Sequence, residues 1–156
     1  MNSKLTILLA EDNQDDLTLF RMALKKAEVP EVHLQTVWDG EEAIAYLTGG
    51  GDFSDRAKHP LPDLVLLDLN MPRLNGFEVL QWIRQDPKFS PLIVHILTTS
   101  SRDSDVRRAY ELRANSYIIK PSRVDGLVSF IQALVQWHRF IYLPDHSLEK
   151  PALVRR

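Results

Sequence analysis

Residues 64–72 of the 156-residue chain read LVLLDLNMP, and this stretch indicates the fold more clearly than any other. Its first four residues are apolar without alternation, which is typical of a short strand buried on both faces of a parallel sheet. Asp68 follows this strand directly, and the Asn, Met and Pro at positions 70–72 turn the chain away from it. We therefore predict a central strand with Asp68 at its carboxyl end.

Four other apolar runs indicate four more strands. Leu5–Ala10, Leu92–Leu97 and Tyr117–Ile119 are mostly continuous, whereas Val32–Val37 alternates apolar and polar residues. The segments between these runs carry apolar residues three or four positions apart, which is the spacing of one helix face. The strict alternation of strand and helix predicts an α/β fold of three layers, with a doubly wound, five-stranded parallel sheet and right-handed crossovers.

Two predicted helix starts and one histidine can be placed within this pattern of strands and helices. Asp39 precedes Glu42 by three positions and Ser122 precedes Asp125 by three, so both pairs are close to a capping box and predict helix starts. His95 stands inside a predicted strand, away from any metal-ligand spacing, and is interpreted as a packed core residue.

Composition limits the classes of protein to which the chain can belong. Its length suits one domain, and 44% apolar with 26% charged residues suits a packed core. A net charge of −2 argues against binding to nucleic acid or to an anionic membrane, because both need a basic excess. The absence of cysteine excludes disulfides and cysteine-ligated metals. The first apolar run is too short for a signal peptide or a membrane span, so we expect a cytoplasmic protein.

The polar residues that follow the predicted strands form a pattern of their own. Glu11 and Asp12 follow the first strand, Asp68 the third and Lys120 the fifth, while Thr98 ends the fourth. Because the carboxyl ends of parallel strands share one edge of a sheet, where ligands bind, these side chains are expected to converge on one shallow site. An acid after an apolar run is usually only a helix cap, but the coincidence of all five predicts a functional site.

The three acids at this edge indicate a cation. Neighbouring carboxylates repel one another, so they stay ionised together only with a cation between them. Oxygen ligands select a hard cation, of which Mg²⁺ is the best candidate. A hard cation and a lysine beside a carboxylate suit phosphoryl transfer, and the carboxylate can itself be the nucleophile that forms an aspartyl phosphate. Asp68, at the end of the central strand, is the best candidate for that nucleophile.

Over roughly residues 4–140 the chain resembles the receiver domain of two-component response regulators. The resemblance rests on the acidic pair Glu11-Asp12, DLNMP at 68–72, LTTS at 97–100 and YIIKP at 117–121. It implies a flavodoxin-like fold with strand order 2-1-3-4-5. It also implies a signalling protein that accepts a phosphoryl group from a sensor histidine kinase, with slow self-dephosphorylation as its only turnover.

The resemblance assigns roles to the acceptor and to three residues around it. Asp68 would take the phosphoryl group from a histidine of the kinase and become a 4-aspartylphosphate. Asp12 and Asp68 would ligate Mg²⁺ through their side chains, Asn70 through its backbone carbonyl and Glu11 mainly through water. Glu11 stands where aspartate is frequent in the family, and its longer side chain is expected to alter the metal geometry without removing metal binding.

The resemblance also implies a response to the phosphoryl group. Lys120 would bind a phosphoryl oxygen, with a cis bond to Pro121, and Thr98 would donate its hydroxyl. Tyr117 stands at the position of the aromatic switch, so its ring would fill the space that Thr98 vacates. The change would reach the face built by the fourth helix, fifth strand and fifth helix. The residues assigned to the chemistry are Asp68, Thr98 and Lys120.

A long loop and a C-terminal extension resemble a narrower group, the single-domain response regulators of cyanobacterial and bacterial phytochromes. Gly49–Pro62 is a Gly- and Pro-rich loop, interpreted as a tolerated surface insertion or as a partner-contact loop. We expect a receiver domain at residues 1–142 and an extension at 143–156 without an output domain. The kinase would be of the phytochrome type, and output would pass through an unknown downstream protein.

The last predicted helix carries apolar residues on two neighbouring faces. The set expected in the core is Leu127, Ile131, Leu134 and Val135, and the neighbouring set is Phe130, Ala133, Trp137 and Phe140. So wide an apolar arc should be buried somewhere. It either packs against the tail Ile141–Leu143 or forms a homodimer through this helix and the tail, and we favour the homodimer.

Three other functions fit parts of the pattern. A haloacid-dehalogenase-like phosphatase also uses a strand-end aspartate with Mg²⁺, but it needs a second acid two residues later, where this chain has Asn70. Asp12 and Asp16 look like the start of a calcium loop, but Leu17 and Ala23 stand where such a loop needs glycine and glutamate. A receiver-like docking protein that no longer takes phosphate is disfavoured, because all of the phosphorylation residues are present.

Overall fold

The computed structural model describes residues 4–143, in which strands and helices alternate as predicted. The elements are β1 Leu5–Ala10, α1 Gln14–Ala27, β2 Val32–Val37, α2 Gly40–Thr48, β3 Leu64–Leu67, α3 Gly76–Gln85, β4 Ile93–Thr98, α4 Asp103–Glu111, β5 Ser116–Ile119 and α5 Val124–Phe140. A short 3₁₀ turn at Gly51–Phe53 lies in the loop before β3. Most of the expected extension, residues 144–156, lies outside the described residues.

The five strands form one parallel sheet in the order β2-β1-β3-β4-β5, which confirms the predicted strand order. The register brings the strand ends together, because Ala10 of β1 lies opposite Leu67 of β3 and Thr98 of β4 lies opposite Ile119 of β5. The residues that follow these strand ends therefore share one edge of the sheet.

Helices cover both faces of the sheet, as the three-layer prediction requires. On one face, α1 and α5 pack on residues that include Ile7, Leu9 and Leu66. On the other, α2, α3 and α4 pack on residues that include Leu8 and Val65. All four residues of β3 are fully buried, and burial of each leucine stabilises the fold by about 2 kcal/mol. None of the helices in residues 4–143 is long and apolar enough to cross a membrane.

One of the two predicted helix starts is confirmed and the other is wrong. Asp39 caps α2, since its side chain accepts a hydrogen bond of 2.8 Å from the backbone N–H of Glu42. The N-cap of α5 is Arg123, which makes no side-chain capping bond. Ser122 therefore lies one residue too early for its hydroxyl to act as the helix cap.

The loop at residues 49–62 is held against the end of α2 by one arginine. The Arg56 guanidinium donates to the carbonyls of Tyr46 and Leu47, both at 2.7 Å. These carbonyls lie in the last turn of α2, where backbone donors are few, and the Tyr46 carbonyl also accepts from the Gly49 N–H at 3.3 Å. The Tyr46 hydroxyl donates to the Pro60 carbonyl at 2.7 Å, so the far end of the loop is fixed as well.

His95 of β4 is a buried core residue, as predicted. Its Nδ1 shares a hydrogen bond of 2.6 Å with the Ser116 hydroxyl, and its ring meets that of Trp137 edge-on at 5.4 Å between ring centres. Its Nε2 is buried without a hydrogen-bond partner. Burial lowers the pKa of His95 from 6.5 to about 4, so the folded protein holds the ring neutral.

We expect His95 to make the fold acid-sensitive. Between pH 6.5 and about 4 the unfolded chain binds a proton at His95 that the folded chain does not, so the free energy of unfolding falls as the pH is lowered. The full loss is about 3 kcal/mol by the linkage relation. Urea unfolding of the wild type and of His95→Leu at pH 7, 5.5 and 4.5 measures it. Equal losses in the two proteins would show that His95 is not responsible.

Candidate functional site

The predicted site residues lie together at the carboxyl edge of the sheet. Glu11 and Asp12 follow β1, Asp68 follows β3 and Lys120 follows β5, while Thr98 is the last residue of β4. One carboxylate oxygen from each of Glu11, Asp12 and Asp68 lies within 4.8 Å of the others. The convergence predicted from strand topology is therefore present in the fold.

Local backbone contacts fix the position of Asp68. Its N–H donates to the Ala10 carbonyl at 3.2 Å, which continues the pairing of β3 with β1 by one residue. Its Oδ1 accepts a hydrogen bond of 3.2 Å from the backbone N–H of Asn70. Gly76, the first residue of α3, packs against the Asp68 backbone, and a Cβ at this position would clash with the Asp68 carbonyl. Asp68 is therefore buried, with its backbone fixed by β1 and by the start of α3.

The Lys120 ammonium links three carboxylates. Its Nζ lies 2.5 Å from Glu11 Oε1, 2.7 Å from Asp68 Oδ2 and 2.8 Å from Asp16 Oδ2. It donates hydrogen bonds to Asp68 and Asp16 and forms an ion pair with Glu11, so three carboxylates share one positive charge. Lys120 is thereby aimed at the predicted acceptor, as expected for a residue that binds a phosphoryl oxygen.

Burial and charge act in opposite directions within this cluster. Desolvation raises the pKa of Glu11 against the hydrogen bond from Lys120, and together with the nearby Asp68 charge it brings the pKa to about 7. Burial lowers the pKa of Lys120, but hydrogen bonds to Asp16, Asp68 and Glu11 outweigh burial and raise the pKa above its ordinary value. Lys120 therefore stays charged, while the acidic pocket favours further positive charge.

The donor set suits a hard divalent cation. All of the clustered ligand atoms are carboxylate oxygens, without sulfur or nitrogen. Asp12 is only partly buried and Asn70 is exposed, so the cluster opens toward solvent on their side. These residues fit a metal that keeps some of its water ligands.

Thr98 and Tyr117 have different environments. Thr98 is completely buried, and its hydroxyl has no hydrogen-bond partner. A buried hydroxyl without a partner is costly, so it is ready to donate to a group that enters the site. The Tyr117 hydroxyl donates to the Ser100 carbonyl at 2.9 Å, and the Tyr117 backbone N–H donates to the Tyr110 hydroxyl at 3.2 Å.

One expectation about this site is wrong and one residue was missed. Residues 4–143 contain no cis peptide bond, so the bond before Pro121 is trans. The two isomers of an X–Pro bond differ by only about 1 kcal/mol, so the sequence does not decide between them. The missed residue is Asp16, which was interpreted only as part of a calcium loop but pairs with Lys120. Asp16 lies in the first turn of α1, and this turn begins at the sheet edge that carries Glu11 and Asp12. That position was the signal in the sequence that Asp16 lies near the site.

Residues 7–132 match the response regulator receiver domain, and the chain belongs to this family of signalling proteins. It is 35% identical to response regulator Rcp1 of Synechocystis sp. over 144 residues, which are 92% of this chain and 95% of Rcp1. Receiver domains bind a divalent metal ion. A Mn²⁺-bound form of Rcp1 is among the similar solved structures, at a TM-score of 0.78 with 90% of this chain and 99% of that chain covered.

Two further solved structures are as similar. The phosphorylated cyanobacterial phytochrome response regulator RcpA is 36% identical with a TM-score of 0.81, covering 92% of this chain and all of RcpA. Response regulator RPA3017, of red light signaling in R. palustris, is 36% identical with a TM-score of 0.82, covering 90% of this chain and 99% of that chain. The resemblance to phytochrome response regulators seen in the sequence is confirmed at the level of the whole receiver fold.

Proposed function

We propose that Asp68 accepts a phosphoryl group from a histidine of a sensor kinase, with Mg²⁺ held by Asp12, Asp68, the Asn70 carbonyl and, through water, Glu11. The observation that carries this proposal is the Lys120 ammonium, 2.7 Å from the buried Asp68 carboxylate at the edge of an acidic cluster. Mg²⁺ would neutralise charge on the transferring phosphoryl group and on the carboxylates.

The remaining chemistry belongs to this chain's own side chains. A carboxylate oxygen of Asp68 forms the new bond to phosphorus while the bond from phosphorus to the kinase imidazole breaks, and the imidazole leaves with the electron pair. Lys120 donates to a phosphoryl oxygen, and the unpartnered Thr98 hydroxyl donates to another. Asn70, two residues after Asp68, is an amide and supplies no general acid, which supports slow self-dephosphorylation over enzymatic turnover.

The same residues support a switch. When Thr98 moves toward the phosphoryl group, the space that it leaves is available to the ring of Tyr117 in β5. That movement breaks the hydrogen bond from the Tyr117 hydroxyl to the Ser100 carbonyl, which holds the ring in its present place. Phosphorylation would then shift the population between two arrangements of the face built by α4, β5 and α5.

The partner is proposed to be a phytochrome-type sensor kinase. This rests on similarity to RcpA, a phytochrome response regulator, and to RPA3017 of red light signaling. A cytoplasmic location follows from the proposed transfer, because the kinase draws on cytoplasmic ATP. The downstream partner would be a protein that reads the switched face, and the chain's net charge of −2 gives no support to a nucleic acid partner.

The test is phosphotransfer from candidate kinases. Sensor kinases are incubated with labelled ATP and Mg²⁺, in darkness and in light for phytochromes, and the chain is then added. Transfer from a phytochrome kinase that changes with light supports the proposal. Label that stays on every phytochrome kinase, while another kinase class labels the chain, contradicts the phytochrome pairing. Absence of label from all kinases contradicts phosphoacceptor function.

We also propose a homodimer through α5 and the tail. Phe140 is 82% exposed and Trp137 is 41% exposed, so the C-terminal end of the second apolar face of α5 is open to solvent within the described residues, whereas Phe130 packs against the core. The tail beyond Leu143 lies outside those residues. The division into a receiver domain at 1–142 and an extension at 143–156 remains a prediction.

Sedimentation tests the dimer. We expect the wild type to sediment as a dimer and Phe140→Glu to sediment as a monomer, because a charge in the apolar face opposes its burial. Met22→Glu is the matched control, since Met22 is an exposed apolar residue of α1 and should leave the dimer intact. A monomeric wild type, with and without a phosphoryl analogue, contradicts the dimer.

A further inference from the structure

Asp16 lies in the first turn of α1 at a position that the backbone fixes. The Asn13 side chain accepts a hydrogen bond of 3.0 Å from the Asp16 N–H and so caps the helix. The Asn13 N–H in turn donates to Glu11 Oε2 at 3.1 Å. These two bonds tie the start of α1 to the acidic cluster, and the Asp16 carboxylate reaches Lys120 from there.

Lys120 has no spare donor in this arrangement. Its Nζ donates to Asp68 at 2.7 Å and to Asp16 at 2.8 Å, and it lies 2.5 Å from Glu11 Oε1. A hydrogen bond from Lys120 to a phosphoryl oxygen therefore requires that one of these three contacts be released.

The bond to Asp16 is the one that is least costly to release. The side chains of Glu11 and Asp68 are only 3% and 8% exposed, and an unpaired charge on either would be buried without compensation. The Asp16 side chain is 33% exposed, so water can replace the ammonium. A cavity of about 250 Å³, lined in part by Asp16, Lys120 and Pro121, lies on the same side and gives water access to both charged groups.

The charge of the phosphoryl group also favours release of the bond between Asp16 and Lys120. A phosphoryl group brings about −1.5 to −2 charge to Asp68, and Asp16 is a further anion that shares the same lysine. Because both carboxylates contact the same ammonium, their like charges repel, and Asp16 disfavours the phosphorylated site both by holding Lys120 and by its own charge.

We propose that Asp16 is a positioning residue that holds Lys120 in the unphosphorylated arrangement and thereby limits how strongly the site retains a phosphoryl group. The inference rests on the proposed function of Asp68. It assigns Asp16 a regulatory part at that site, setting the balance between the two states, without contact to the phosphoryl group itself.

The test compares three variants of the same helical turn. Asp16→Asn removes the ion pair, whereas Asp15→Asn removes the same charge from an exposed residue that has no ion pair with a described residue. Binding of beryllofluoride, a phosphoryl analogue, is titrated at saturating Mg²⁺. We expect Asp16→Asn to bind about five-fold more tightly than the wild type, the size of one partly exposed ion pair, and Asp15→Asn to bind like the wild type. Asp16→Glu, which keeps a carboxylate within reach of Lys120, should also bind like the wild type.

The outcomes separate this inference from the proposed function. Binding by Asp16→Asn that is no tighter than binding by Asp15→Asn overturns the role of Asp16 alone. So does tightening of the same size in Asp16→Glu, because the carboxylate would then be irrelevant. A wild-type chain that binds no beryllofluoride overturns the proposed function and this inference together.

Discussion

The Asp68→Asn variant is expected to take no detectable phosphoryl group from any sensor kinase that labels the wild type. An amide is not a nucleophile toward phosphorus, and the replacement also removes one charge from the acidic cluster. Asparagine has nearly the same shape, and its side-chain oxygen can still accept from the Asn70 N–H that Asp68 Oδ1 binds now. Loss of transfer would therefore reflect lost chemistry in a protein that remains folded.

The measurement is transfer of labelled phosphate, with circular dichroism to check folding. Asp15→Asn is the matched control, since it removes one carboxylate from the neighbouring helical turn, and it should be labelled like the wild type. Acid-labile, hydroxylamine-sensitive label on Asp68→Asn would place the acyl phosphate on another carboxylate and contradict the assignment.

The Lys120→Ala variant is expected to lose stability and to uncouple phosphorylation from output. Lys120 is the ion-pair partner of Glu11 and Asp68, which are both buried, and its loss leaves their charges unpaired. Removal of one partner of a buried ion pair costs about 3–5 kcal/mol. Asp68 remains a carboxylate, so the variant should still take phosphate. Lys120 directly follows β5 and would connect the phosphoryl group to that strand. Without its ammonium this connection is lost, so the dimer or partner response to phosphorylation should be weak.

The loss of stability in Lys120→Ala is expected to depend on pH through Glu11. Burial already raises the pKa of Glu11 to about 7 in the wild type, and removal of Lys120 raises it further. The folded variant then keeps Glu11 protonated to a higher pH than the wild type does, so its deficit relative to the wild type should shrink as the pH falls toward 7 and level off below it.

Urea unfolding at pH 8 and pH 6 measures the deficit, and Mg²⁺ is expected to reduce it by restoring positive charge at the carboxylates. Lys26→Ala, an exposed lysine at the end of α1, is the control and should cost little. A Lys120→Ala protein as stable as the wild type, or with a normal output response, would contradict the role given to Lys120.

The sheet and most of the site could be predicted because they depend on short-range pattern and parallel topology. The apolar run at 64–67 needs no tertiary information to be recognised as a buried strand, and all four of its residues are fully buried. Once five such strands run parallel, the residues after them must meet at one edge. The sequence alone therefore predicts that Glu11, Asp12, Asp68 and Lys120 lie together.

Contacts that depend on how elements pack could not be predicted in this way. The ion pair between Asp16 and Lys120 joins residues 104 positions apart, and it depends on the angle at which α1 leaves β1. The Arg56 bonds to the end of α2 follow from the path of a loop that has no periodic pattern. The cap expected at Ser122 was wrong by one residue, which is within the ordinary uncertainty of a helix boundary.

The most direct test of the account is to locate the phosphoryl group on the chain. The chain is phosphorylated by a kinase in the presence of Mg²⁺, treated with borohydride, which reduces an aspartyl phosphate to homoserine, and mapped by peptide mass spectrometry. We predict homoserine at position 68 alone, and none when Mg²⁺ is chelated. Homoserine at Asp12 or at another acid, or an unreduced phosphate on a serine, threonine or histidine, would contradict the claim that Asp68 is the acceptor.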